Sequence, residues 1–382
     1  MIDGTPPAPV SDTLAPLPAI AAATLTLTRI YDVGYAVDLD RAHDLLAADA
    51  IRPRPSAGVR QSASIQIAQT PLRVDLAAAT VEIEGVRLAG QLRASVYDLG
   101  AITIALTLPL PPRTSWEAVA DLFASAQEPT EEVERGFREA LDGLETLIRP
   151  AIERPERSPL DEDYSVLMIE RLDPPGETAA LEQHPLVRSA LLGERRTLGR
   201  ESYAAITSMN YYPDDLALLS WNGALMVEPD PNAAATVLEL LEFANVELLL
   251  LRSYDADLEK EIHRLNERIS AVHGRPYLPI VGRYTRLLNE AQRTVFEISE
   301  VTERIDNAYR VTDDVYWNRL YSAALGVLRV GLWRTEVEQR LSLIRESYMM
   351  LRDRAESDRS ASLEWIVILL IAFEIVMALF VQ

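Results

Sequence analysis

The chain has 382 residues, a net charge of −21 and no cysteine. Its length is sufficient for two domains with apolar cores, and a composition of 48% hydrophobic and 25% charged residues is typical of a folded protein. The absence of cysteine from the sequence excludes disulfides, thiol catalysis and cysteine-ligated metals, and the acidic charge argues against direct nucleic-acid binding.

Residues 1–21 are predicted to form a disordered, proline-rich lead-in. Five prolines occur between Pro6 and Pro18, and the first residues carry Asp3 but no basic region and no apolar core. This composition does not match a secretion signal. A docking peptide for a proline-binding partner is the less favoured alternative.

Residues 22–229 are predicted to form an acidic α+β head domain. Alternating Thr, Val, Ile and Tyr residues follow Ala22 and indicate a strand that breaks near Gly34. Further alternating runs, with turns predicted at Glu84–Gly85 and Asp98–Gly100, extend to the prolines at 109–112. Strands with few helices among them predict a mixed or antiparallel sheet.

Helix and hairpin signals fill the rest of the head. Ser115 and Thr130 are placed to begin two helices. The charged, proline-containing segment 149–162 is predicted to be an internal linker. The strongest hairpin signal is the pair Asn222–Gly223 between two apolar runs, because these residues tolerate the positive φ of a type I′ turn.

Residues 230–361 are predicted to form a helical, coiled-coil-like stalk. Asp230 and Pro231 are typical of a helix start. Apolar residues then recur at alternating steps of four and three, which is a heptad seam. The seam residues are Leu241, Leu248, Leu251, Leu258, Ile262 and Leu265. Their partner is either the neighbouring helix, in an antiparallel hairpin, or another copy of the chain, and a homo-oligomer is expected.

Residues 363–381 are predicted to be a single transmembrane anchor. They are apolar except for Glu364 and Glu374, and Trp365 is a residue type that prefers the membrane interface. A buried core helix is the alternative. Glu374 is expected to mark a contact with another membrane helix, unless it is only a protonated carboxyl on a marginal anchor.

Known catalytic and cofactor motifs are missing from the sequence. It contains no phosphate-binding loop, no dinucleotide fingerprint and no serine elbow, so no catalytic, cofactor or metal residue is predicted. His263 shares a helix face with Glu259 and Glu267, but solvated charges explain this trio better than a metal. Asp214–Asp215 is better explained by turn capping than by cation binding.

Three segments resemble the "required for meiotic nuclear division" family, which includes YagE-like bacterial proteins. They are SWNGALMVEPD with the helix that follows it, ERIDNAYRVTDDVYWNRLY, and the closing LEWIVILLIAFEI. The resemblance covers residues 205–382 well and the head only loosely. It implies a single-pass membrane protein without established enzymatic activity, related to mitochondrial proteins that form large oligomers and support translation at the inner membrane.

These observations together predict a non-enzymatic, membrane-anchored, homo-oligomeric scaffold whose body faces the cytoplasm, at a bacterial inner membrane. Its expected partners are the membrane, other copies of the chain and either the ribosome or a membrane protein. Two other functions stay open. One is a ligand- or nucleotide-binding enzyme head of a new type, and the other is an accessory subunit of a membrane transport complex.

Overall fold

The computed structural model describes residues 16–380 except 49–64, 68, 177, 197, 274–291, 294, 297, 301–302, 304–308 and 312–313. Some side chains within helices and strands, among them those of Leu265, Trp365 and Glu374, also lie outside the description. The predicted proline-rich lead-in lies almost entirely outside the described residues.

Eight strands form one large sheet in the order β4-β5-β6-β1-β8-β11-β10-β9. All neighbours are antiparallel except β8 and β11, which run parallel. Two short pairs, β2 with β7 and β3 with β12, lie outside this sheet. The strands are β1 (Ala19–Asp32), β2 (Ala36–Val37), β3 (Ile65–Ile67), β4 (Leu72–Ile83), β5 (Val86–Val96), β6 (Ala101–Pro109), β7 (Ile152–Glu153), β8 (Asp161–Asp173), β9 (Thr207–Met209), β10 (Leu216–Leu219), β11 (Gly223–Val227) and β12 (Tyr309–Val311).

Eight α-helices have defined bounds in the described part of the chain. They are α1 (Leu39–Ala48), α2 (Trp116–Gln127), α3 (Glu131–Ile148), α4 (Thr178–Gln183), α5 (Pro185–Leu191), α6 (Pro231–His273), α7 (Val315–Val327) and α8 (Val330–Phe380). The predicted α+β class is confirmed, because helices cover a large and mostly antiparallel sheet.

The main core lies between one face of the sheet and helices α1, α2, α3 and α5. Residues of a strand alternate between faces, so Leu25 and Leu27 of β1 point to the same side. They pack in one buried cluster with Phe123 of α2 and Phe137 of α3. Ser115 caps α2 as predicted, since its Oγ accepts a hydrogen bond from the N–H of Ala118 at 3.2 Å.

The opposite face of the sheet carries a polar network with α6. Arg73 of β4 forms an ion pair with Glu239 of α6 at 2.9 Å, and both side chains are mostly buried, at 15% and 11% exposed. Tyr97 donates a hydrogen bond to Glu242 at 2.9 Å, and the Thr103 hydroxyl donates to the same carboxylate oxygen. One arginine thus faces two partly buried carboxylates.

The chain divides into two compact units. Residues 1–246 and 310–328 form the α+β unit, and residues 247–309 and 329–382 form the helical unit. The predicted border at 229/230 differs from this division, because the first part of α6 and the whole of α7 pack with the sheet and therefore belong to the α+β unit.

The predicted transmembrane anchor is wrong. None of the helices in the described part of the chain is both long and apolar enough to cross a membrane. Residues 363–380 end the 51-residue helix α8. The apolar run is short for a bilayer and is interrupted by Glu374, whose carboxylate would cost a few kcal/mol there. The prediction of a single-pass protein at a bacterial inner membrane is wrong for the same reason.

Candidate functional site

The structure buries four of the six seam residues on α6. Leu241, Leu248, Leu251 and Leu258 are each at most 1% exposed. Ile262 is half-buried, and the side chain of Leu265 lies outside the described residues. The first of the four, Leu241, packs within the α+β unit, whereas the other three belong to the helical unit.

Within the helical unit, α6 and α8 run parallel to each other. Arg334 lies 2.5 Å from Glu247, and Arg340 lies 2.5 Å from Asp255. The paired positions differ by 87 residues (247 and 334) and by 85 residues (255 and 340), so both helices advance in the same direction. The sequence left the partner of the seam open between the neighbouring helix, in an antiparallel hairpin, and a second copy. The α8 helix of the same chain is a parallel partner that was not predicted, and most of the segment that follows α6 lies outside the described residues.

The last part of α8 continues beyond the end of α6. At the observed offset, the final residue of α6, His273, corresponds to about residue 359 on α8. Nine large apolar side chains between Ile366 and Met377 are 51–64% exposed. Of the three predicted anchor residues, Glu364 is exposed, and the side chains of Trp365 and Glu374 are not described. An apolar surface of this kind marks an interaction site more often than a solvated surface.

A second exposed surface lies on the α+β unit, where the loop between β9 and β10 meets α7. Tyr211 and Tyr212 are 51% and 62% exposed. Their ring centroids lie 4.8 Å apart, and their planes are nearly perpendicular at 84°. The ring of Tyr316 on α7 lies 5.4 Å from that of Tyr211.

Two buried carboxylates lie near these tyrosines, and one of them binds their backbone. Asp215 is 3% exposed and accepts hydrogen bonds from the backbone N–H groups of Tyr211, at 2.7 Å, and Tyr212, at 3.0 Å. This is the turn capping that the sequence favoured. Because Leu216 pairs with Val227, Asp215 and Glu228 lie at the same end of the β10–β11 hairpin. We call Tyr211, Tyr212, Tyr316, Asp215 and Glu228 the Tyr–acid surface.

The electrostatic environment of this surface is negative. Burial raises the pKa of Glu228, and the charges of Asp215 and Asp230 raise it further. Burial also raises the pKa of Tyr316, and the nearby carboxylates of Asp215 and Glu228 contribute. Among the described residues, neither of these two carboxylates forms an ion pair with an arginine or lysine. Residues 201–251 contain eight acidic residues and no arginine or lysine, a sequence signal that could have indicated this surface.

A third candidate is a cavity of about 230 Å³ between the β4–β5 turn, α2 and the loop after α5. Glu84 accepts hydrogen bonds there from the Ser125 hydroxyl and from Arg195, both at 2.5 Å. These two donors lower the pKa of the Glu84 carboxyl. A carboxylate held in this way is a weak base, so the three side chains do not form an activated nucleophile.

The residues that the structure describes include no group of three His, Asp or Glu side chains arranged to hold a metal ion. His263 and Glu267 are exposed on α6. Glu259 lies 3.6 Å from Arg340. Solvated or paired charges therefore account for this trio.

Comparisons with known proteins give a family match that falls within the α+β unit. A family model described as "Uncharacterized protein MJ0711, N-terminal domain" matches residues 22–234, more than half of the chain. The "Uncharacterized protein MJ0711" of Methanocaldococcus jannaschii is 23% identical over 173 residues, which cover 45% of this chain and 52% of that protein. The chain thus spans about half the length of the curated relative it matches. No solved structure matches the chain.

These matches overturn the family resemblance predicted from the sequence. The family model fits residues 22–234, most of which the meiotic nuclear division resemblance covered only loosely, and nothing in the matches points to that family or to YagE-like proteins. The first and third of the segments behind the prediction draw most of their residues from the long helices α6 and α8. Apolar and charged helical patterns recur in unrelated coiled-coil proteins, which is why they misled.

Proposed function

We propose a scaffold function without catalysis for this chain, which belongs to the family described as "Uncharacterized protein MJ0711, N-terminal domain". Copies of the chain associate through the last part of α8, and each copy presents one α+β unit. Such an assembly raises the local concentration of whatever the α+β units bind, because several binding surfaces act on one partner.

The observation that carries the proposal is the exposed apolar surface between Ile366 and Met377. Fully burying one Leu, Ile or Phe side chain stabilises a protein by about 1.5–3 kcal/mol. Several such side chains covered at once would offset the entropic cost of association, which is about 4–15 kcal/mol.

A second copy of the chain is the occupant that the geometry favours. The exposed segment continues the helix that already pairs in parallel with α6, through the buried residues Val337, Leu341 and Ile344. Past about residue 359, α6 no longer accompanies it. Between Trp365 and Val381 the segment carries a single charge, at Glu374, so the repulsion between acidic copies is weakest there.

The proposal predicts that the Leu369→Glu/Phe373→Glu double variant loses self-association. Both side chains are more than 60% exposed, so the variant should fold like the wild type. We expect the full-length wild type to sediment as a multimer, and the variant to dissociate with an equilibrium constant raised about tenfold or more. Analytical ultracentrifugation over a concentration series makes the measurement.

The matched control is Leu343→Glu on the same helix. Leu343 is 52% exposed and lies where α8 runs beside α6, so this change should leave the multimer intact. A wild-type chain that stays monomeric at every concentration contradicts the proposal. Equal loss of association in the variant and in the control contradicts it as well.

A ligand-binding head is the second candidate function, and the cavity beside Glu84, Ser125 and Arg195 favours it. A small polar ligand that displaces the Glu84–Arg195 ion pair would raise the melting temperature of the wild type. The same ligand should have no effect on Arg195→Gln. A thermal-shift screen of small anions and nucleotides tests this function independently of self-association.

A further inference from the structure

We propose that the Tyr–acid surface binds an arginine-bearing segment of a partner protein. This inference names the partner class of the scaffold proposed above and rests on that proposal only for its biological role. The binding itself is a property of the α+β unit, because all five residues of the surface belong to residues 1–246 and 310–328.

The aromatic geometry suits a cationic group. Tyr211 and Tyr212 are both more than half exposed. The two rings meet edge to face at 84°. The ring that contributes its edge therefore has neither of its faces covered by the other ring. A guanidinium group is planar, is weakly hydrated and stacks on aromatic faces. Asp215 holds the backbone N–H groups of both tyrosines, so the pair is positioned before any ligand arrives.

The negative charge of the surface favours a positively charged ligand. Asp215 and Glu228 are 3% and 8% exposed, and none of the described arginine or lysine side chains pairs with them. A guanidinium placed against the tyrosines would supply a positive charge near these carboxylates, at the edge of a site with low dielectric constant. The charges of Asp214 and Asp230 add to the negative potential at Glu228.

Other occupants fit less well. The described side chains do not form a three-ligand metal site, and two tyrosine rings add no metal ligand in their neutral form. A nucleic acid or another polyanion would be repelled by the carboxylates. A neutral apolar peptide could cover the rings but would bring the buried carboxylates no compensating charge.

The test is the affinity of a fluorescein-labelled decapeptide in which four arginines alternate with glycine and serine. Fluorescence anisotropy with the full-length chain measures it, and the neutral reference peptide carries citrulline in place of each arginine. We expect the arginine peptide to bind and the citrulline peptide not to bind. Tyr212→Ala and Glu228→Gln should each weaken binding about fivefold or more.

Two matched controls separate the surface from the general acidity of the protein. Trp221→Ala removes an aromatic ring that is 41% exposed at the turn between β10 and β11, the other end of the hairpin. Glu132→Gln removes an exposed carboxylate from α3. Both variants should bind the arginine peptide like the wild type. If they weaken binding as much as Tyr212→Ala does, the attraction is non-specific and the proposal is wrong. Equal binding of the citrulline peptide overturns it too.

The same titration with the Leu369→Glu/Phe373→Glu variant separates this inference from the scaffold proposal. Retained peptide binding to that variant supports the surface whether or not the wild type self-associates. If the arginine peptide fails to bind both chains while the wild type forms multimers, the surface proposal falls and the scaffold proposal stands.

Discussion

Replacing Arg73 with methionine is expected to lower the free energy of unfolding by about 3–5 kcal/mol at neutral pH. Arg73 is the positive partner of Glu239 at 2.9 Å, and the carboxylate of Glu242 lies in the same network. Without the guanidinium, two largely buried carboxylates face each other with no described cation to offset them. Urea unfolding followed by circular dichroism measures the loss.

Arg93→Met is the matched control, on the neighbouring strand β5. Arg93 pairs with Asp75 at the same distance of 2.9 Å, but both side chains are nearly half exposed, at 48% and 45%. Exposed pairs contribute less than about 1 kcal/mol. If the two variants lose the same amount of stability, burial does not determine the strength of the Arg73 pair and the explanation fails.

The loss in Arg73→Met should also depend on pH. Burial raises the pKa of Glu239 even in the wild type, while Arg73 opposes that rise, so removing Arg73 raises the pKa further. The pKa of a glutamate in the unfolded chain is about 4.3. When the pKa in the folded state is higher, the fold loses stability as the pH rises from the unfolded-state pKa through the folded-state pKa. The variant should therefore lose less stability at pH 5 than at pH 8. A loss that is the same at both pH values, or larger at pH 5, contradicts this.

Replacing Gly100 with alanine is expected to cost about 3 kcal/mol or more. Gly100 has a φ of +87°, and an added Cβ would lie 1.8 Å from the carbonyl oxygen of Gly34. The same turn holds the backbone bond from the Val33 N–H to the Gly100 oxygen at 2.9 Å. The clash is with backbone rather than with a movable side chain, so the turn and the end of β1 must shift. Thermal unfolding checks the prediction.

Gly85→Ala separates the clash from the effect of φ. Gly85 also has a positive φ, +73°, but its added Cβ meets nothing within 4 Å. We expect a loss of about 1 kcal/mol, which is the cost of an ordinary residue in the left-handed region. If Gly100→Ala is no more destabilising than this control, the contact with Gly34 is not a constraint on the fold.

The elements that the sequence predicted correctly depend on chemistry within a few residues. The hairpin between β10 and β11 was predicted correctly, but its type I′ turn was not, because neither Asn222 nor Gly223 has a positive φ and Gly223 already belongs to β11. Glu84–Gly85 lies between β4 and β5 with a positive φ at both residues, and α6 begins at Pro231 directly after Asp230. Each of these last two signals arises because a particular φ or a capping side chain is needed at one position. The α+β class followed from the order of such elements along the chain.

The pairing of distant segments could not be predicted from this local chemistry. The ion pair of Arg73 with Glu239, the ring contact of Tyr211 with Tyr316, and the parallel neighbours β8 and β11 join residues that are far apart in sequence. No pattern in either segment identifies its partner. The Tyr–acid surface was missed for this reason, although Asp215 had been correctly associated with turn capping.

The end of α8 shows most clearly what could not be predicted from the sequence. The sequence alone indicated that the apolar side chains between Ile366 and Met377 need to be covered, because such side chains avoid water. What covers it depends on the surrounding chain, and the prediction of a membrane was wrong. The tertiary structure decided that α8 runs parallel to α6 and extends beyond its end, since ion pairs such as Arg334–Glu247 set the register of the two helices. Local sequence determines which elements form, whereas contacts between distant residues determine how those elements are joined, because their free energy depends on the whole fold.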